Sequence, residues 1–356
     1  MAAQPAPALI GAHLLGSVPL GDARTVMRTC GEVLGGHLHA IPDGETGART
    51  NWIMWQGPEV FAKNPAIITR RLADEIGQWT GGKVTPKQAY GDNFDFGVKP
   101  DAAQIAFGEL GYAREAAASY AVFRELKAAG VIPATVRFQV SLPSPVNPIV
   151  GFLPNAEDQR RAYPAYEAAM LREVGAVCST VPAAELAVQW DLVMEVMVFE
   201  GLRAFPWDDQ EGGLRASIAR LAAAVPRGAA LGFHLCYGDR RHTHLIEPQS
   251  LAVSVRLVNL LVAASGRPVN WVHMPVPKER DDAAYFGPLR DLDIGSTDLY
   301  LGLMHTTDGL DGARRRLAAA AAFAPRFGVA TECGMGRRSP ESIRPLLELH
   351  RRVLEG

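Results

Sequence analysis

Cysteine is scarce in this chain: four residues, Cys30, Cys178, Cys236 and Cys333, stand far apart in 356. A chain of this length needs no staples, so a disulfide framework is not expected and the thiols are read as free or as metal ligands. Net charge is equally slight, with 36 Lys and Arg against 38 Asp and Glu, and lacks the basic field that phosphate backbones or anionic membranes require. Nucleic acid and membrane are therefore not expected as partners. No apolar run approaches the ~20 residues of a membrane span; the longest candidate beyond the N-terminus, Ser250 to Ser265, is interrupted by Arg256 and Asn259. The opening segment, Met1 to Leu20, has neither the positive region nor the cleavage site of a signal peptide, and its apolar part reads as a strand. The expected setting is reducing and cytoplasmic. A glycine-rich phosphate loop is also missing, because Gly334 and Gly336 lack both P-loop and dinucleotide-binding spacing.

What the chain has is apolar bulk, 48% hydrophobic residues with 21% charged, enough for a large core. At about 150 residues per domain the length suits two domains or one large α/β barrel. Short apolar runs closed by small or polar residues alternate with Ala-, Leu- and Arg-rich stretches of helical spacing. The strand candidates are Ala8 to Ser17, His37 to Ile41, Thr135 to Leu142, Leu186 to Met197, Ala230 to Tyr237, Pro268 to Met274, Leu299 to His305 and Gly328 to Cys333. Helices are expected over Gln104 to Ala129, Ala156 to Gly175, Gly213 to Ala224, Leu251 to Ala264, Gly309 to Phe323 and Pro340 to Leu354. About eight strands with intervening helices predict an α/β fold, a single (β/α)8 TIM-type barrel over residues 1–356. Two elaborated segments would cap its C-terminal face: Gly44 to Lys99, with one helix near Ala66 to Gln78, and Pro275 to Asp298.

In such barrels chemistry sits at the C-terminal strand ends. His234 and Cys236 are two apart on a strand and share a face. His273 closes the sixth strand and Cys333 the eighth, so all four side chains can reach one rim. Zn²⁺ accepts this dispersed nitrogen and sulfur set, and a site without paired Cys-x-x-Cys knuckles suits a catalytic zinc with an exchangeable position. A Cys closing a buried strand is also an ordinary core hydrophobe, and Cys30 and Cys178 are read that way. His242 and His244, two apart in an Arg-flanked loop, are the competing ligands. After the second strand, Asp43, Glu45 and Arg49 bracket two glycines, either as a rim loop that grasps charged ends of a substrate or as a turn with a local ion pair.

These motifs resemble the catalytic domain of cobalamin-independent methionine synthase, within the barrels related to uroporphyrinogen decarboxylase. The first strand's Gly16-Ser17-Val18-Pro19, the His-x-Cys-Tyr of His234 to Tyr237, and Glu332-Cys333-Gly334 with a following Arg stand where the family has its counterparts. The resemblance further implies that Asp191, in Gln189-Trp190-Asp191, holds the amino acid acceptor, that Ser17 helps position it, and that His305 is the proton donor. At the strand-six ligand position the family has Glu, and this chain has His273. By this resemblance the sequence is expected to correspond to roughly the catalytic barrel only, without a counterpart of the N-terminal half of the long synthases.

The implied activity is zinc-dependent transfer of a methyl or alkyl group to a substrate thiol, from a folate-like or other donor. The alternatives are a zinc-free decarboxylase or lyase of the wider group, and a noncatalytic thiol or zinc sensor. Whether the chain forms a homo-oligomer is left open.

Overall fold

Eight strands form one parallel sheet: β1 (Ala8–Ala12), β2 (Ala40–Pro42), β5 (Arg137–Pro143), β6 (Leu186–Leu192), β7 (Ala230–Leu235), β8 (Trp271–Pro275), β9 (Asp298–Met304) and β10 (Arg326–Thr331). They come from a computed structural model that describes residues 7–72, 94–238 and 244–356. The sheet runs β1-β10-β9-β8-β7-β6-β5-β2. Parallel single bridges, Ala12 to Leu38 and Ser17 to Gly44, bring β1 and the β2 region together at the seam. With helices following the strands, this is the expected (β/α)8 TIM-type fold. Strands buried on both faces read as continuous apolar runs, as β6 and β7 do, every residue of each being buried.

The barrel interior is layered. Near its N-terminal end Trp271 and Tyr300 fill the space against Ala40, Ala187 and Ala230. Gly232 makes this layer fit, since a Cβ there would stand 2.0 Å from the Trp271 ring. Higher up the interior turns polar, and register decides who meets whom. Asp191 pairs with His234 and His234 with His273 across three neighbouring strands. The period of two places Gln189 one layer below Asp191 on the same face.

Boundaries differ from expectation in several places, three of them instructive. The expected helix near Ala66 to Gln78 begins instead as a strand, β3 (Ile67–Leu72), paired antiparallel with β4 (Phe94–Val98); the rest of that span lies outside the described residues. The fourth strand candidate stops at Leu192 and continues as a helix, Met194–Phe199. There Asn147 Oδ1 accepts from the backbone amides of Val193 and Met194 and turns the chain. The helix expected from Gln104 starts only at Tyr112, where the Glu173 carboxylate accepts from the amides of Leu110, Gly111 and Ala113. Among the described residues no helix is long and apolar enough to cross a membrane.

Candidate metal centre

At the C-terminal mouth His234, Cys236 and Cys333 each offer a ligand atom, and those atoms lie within 4.8 Å of one another. His234 and Cys236 are buried and Cys333 half-buried. The Cys236 and Cys333 sulfurs are 3.0 Å apart, and His234 Nε2 stands 3.9 Å from Cys333 Sγ. Two hydrogen bonds help set these positions: the Cys236 amide donates to the Leu192 carbonyl, and the Thr331 side-chain hydroxyl donates to the Cys333 carbonyl. Gly334 then passes Ser17 so closely that a Cβ would meet Ser17 Oγ at 2.3 Å. Its neighbours grip Ser17 in turn, Met335 N donating to the Ser17 carbonyl and Gly336 N to Ser17 Oγ.

His273, the fourth expected ligand, stands behind His234 with both nitrogens engaged. Its Nδ1 is 2.8 Å from His234 Nδ1, and its Nε2 is 3.0 Å from the Thr331 carbonyl. Burial first, then the neighbouring His234 and His13, push its pKa well below the usual value, so the ring is neutral. His244, the competitor, lies elsewhere: it pairs through Nδ1 with Glu247 at 3.0 Å and through Nε2 with Glu332 at 3.2 Å. Burial lowers its pKa, but the two carboxylates outweigh burial and raise it to about 9. His242 lies outside the described residues.

A small cavity opens beside the three ligands, lined by Ser17, Glu45, Trp52, Asp191, Gly334 and Arg337 among others. Asp191 accepts from Gln189 Nε2 at 2.9 Å and from Trp52 Nε1 at 3.2 Å. Burial raises its pKa to about 7 against the pull of His234 and those two donors. Glu45 is likewise pushed well above the usual carboxylate range, by burial first and then by the Asp191 charge. Glu45 and Trp52 both adopt positive φ, 50° and 53°, strained conformations that concentrate at functional sites. A larger groove of about 960 Å³ lies over the helix Ala252–Ala264. It lines none of these side chains, and convergent polar groups favour the smaller cavity as the site.

The rest of the expected rim loop is placed differently. Asp43 takes both Arg49 Nη1 and Nη2, at 3.3 and 2.7 Å, the Ser119 hydroxyl at 2.8 Å and the Glu45 amide at 2.9 Å. Its acceptors are thus spent holding the loop, and Glu45 is the member of the trio that reaches the cavity. His305 lies outside this lining. Its Nε2 is 3.0 Å from the Val276 carbonyl, and its Nδ1 is 3.7 Å from Glu332, the residue beside Cys333.

Sequence reasoning missed Gln189's grip on Asp191, the joining of His244 to His305 through Glu332, and His13. The His13 Nε2 lies 2.6 Å from Gln189 Oε1 under the site. An interior-facing polar residue two positions below a site residue was the available signal.

No protein-family model matches the chain, and no curated protein matches it by sequence. Among solved structures it is similar to a candidate vitamin-B12-independent methionine synthase from Listeria monocytogenes, at 12% identity and a TM-score of 0.54, covering 98% of this chain and 99% of that one. It also matches a B12-independent methionine synthase from Shewanella sp. W3-18-1, solved with selenomethionine, at 15% identity and a TM-score of 0.47, covering 72% and 68%. At such identities the likeness is one of fold.

Proposed function

We propose that this chain is a zinc-dependent transferase that moves a methyl or related alkyl group onto the sulfur of a small thiol. The convergence of His234, Cys236 and Cys333 beside a polar cavity carries this reading. Two sulfurs and one imidazole nitrogen form a set that zinc takes tetrahedrally, with one position left over. Ligands 2.0 to 2.3 Å from zinc stand about 3.6 to 3.8 Å apart. The Cys333 to His234 separation of 3.9 Å is already close to that, and the two sulfurs at 3.0 Å need only spread by less than about 1 Å.

Bound there, zinc would lower the pKa of a substrate thiol and present it as thiolate, the form that attacks an alkyl carbon. The protein supplies the rest. Asp191, oriented by Gln189 and Trp52, offers a carboxylate to the ammonium end of an amino acid thiol. Glu45 lies beside it, and Arg337 and the Ser17 hydroxyl line the wall that would receive a substrate carboxylate. Because a carbonyl only accepts, His305 keeps its Nε2 proton on Val276, and with Nδ1 towards Glu332 outside the cavity lining it would serve as proton donor only to a leaving group that extends past that lining.

Purified protein made with adequate zinc should hold close to one equivalent, and replacing Cys236 and Cys333 by Ser should abolish uptake. Less than about half an equivalent in the unaltered protein would sink the proposal.

A further inference from the structure

The residue at the expected fourth ligand position has both ring nitrogens committed away from the ligand cluster. We infer that His273 is not a metal ligand but a positioning residue: it fixes His234 in the tautomer whose Nε2 lone pair faces the two thiols. The inference rests on the zinc reading above and deepens it, because it leaves three protein ligands and an open fourth position for the substrate sulfur.

Hydrogen-bond direction carries the case. The Thr331 carbonyl can only accept, so His273 Nε2 must bear the proton in the 3.0 Å contact. A neutral imidazole has one proton, so His273 Nδ1 is an acceptor. The 2.8 Å contact between the two Nδ1 atoms then requires His234 Nδ1 to donate. That leaves His234 Nε2, the atom 3.9 Å from Cys333 Sγ, with its lone pair exposed to the ligand cluster. The chain is rigidly backed, since His273 is fully buried and Thr331 closes β10 just before Glu332 and Cys333. One short relay therefore ties the orientation of the histidine ligand to the strand that delivers a cysteine ligand. Partners of this kind fix a metal-binding histidine's tautomer, and losing one typically costs 10- to 100-fold in metal affinity.

Two measurements test it. Two-bond ¹H–¹⁵N correlation spectra of metal-free protein labelled at histidine should place a proton on Nε2 in His273 and on Nδ1 in His234. The signals are assigned by their loss in His273→Asn and His234→Gln. A His234 protonated on Nε2 would overturn the inference, and this readout does not depend on zinc being bound. Chelator competition supplies the second measurement. His273→Leu, which fills the space without an acceptor, should weaken zinc binding ~10- to 100-fold, while His273→Asn, which keeps an acceptor near the Nδ1 position, should recover most of the loss. Equal affinity in the leucine variant and the unaltered protein would refute a positioning role. If the unaltered protein takes up no zinc, the proposed function fails, while the tautomers still decide the relay.

Discussion

Single side chains do separable work at this site, and Asp191 shows how. It is buried, two donors hold it in place, and its carboxylate borders the ligand cluster. Replacing it with Asn keeps the shape and removes the charge. A charge-assisted hydrogen bond is worth about 1.5–3 kcal/mol, so Asp191→Asn should lower kcat/KM roughly 10- to 100-fold for a thiol that carries an amino group. A thiol without one should be nearly unaffected, and steady-state kinetics on such a pair would check the difference. His234, Cys236 and Cys333 were legible in the sequence because they stand at the ends of apolar runs, and strand closure in a barrel means the C-terminal rim, whereas Asp191, inside the strand expected over Leu186 to Met197, was reached only through the family resemblance. The place of His273 was not legible. Spacing puts it on the rim, but only the facing of two rings across β7 and β8 directs its nitrogens to His234 and Thr331.

Between neighbouring elements, long-range polar contacts decide boundaries that local pattern leaves open. Helical spacing runs on from Gln104, but the helix begins at Tyr112 because Glu173, from the helix Ala156–Thr180, caps three amides there. Glu173→Ala would orphan those donors and should cost about 3 kcal/mol in denaturant unfolding, with the barrel's circular dichroism otherwise preserved. The segment Ile67 to Leu72, expected to fall in a helix near Ala66 to Gln78, becomes strand through pairing with Phe94 to Val98, a partner distant in sequence. Glu195, in the helix after β6, adds a pH term. Burial raises its pKa from 4.5 to about 7, although the Ser144 hydroxyl pulls the other way. The folded state thus prefers the protonated acid, so its contribution is complete below about pH 4.5 and is lost as pH rises through about 7. The loss is on the order of 3 kcal/mol. Glu195→Gln should therefore match the parent near pH 4.5 and exceed it in stability above pH 7, as read from urea midpoints across that range.

For the molecule as a whole, the barrel turns an alternation of short strands and helices into a site. Period-two placement, strand register and a layer of small residues under Trp271 bring His234 and Cys236 to the same mouth as Cys333, which follows just past the last strand. That architecture was legible because strand count and helix spacing are written along the whole chain. The cavity shape was not, because it depends on the strained turns at Glu45 and Trp52. The central claim is that these three side chains hold zinc with one position open to a thiol. X-ray absorption at the zinc edge, before and after adding homocysteine, addresses it most directly. The account predicts two sulfurs and one imidazole nitrogen at first and a third sulfur once the thiol is present; an unchanged sulfur count, or a metal shell without both cysteines, would contradict it.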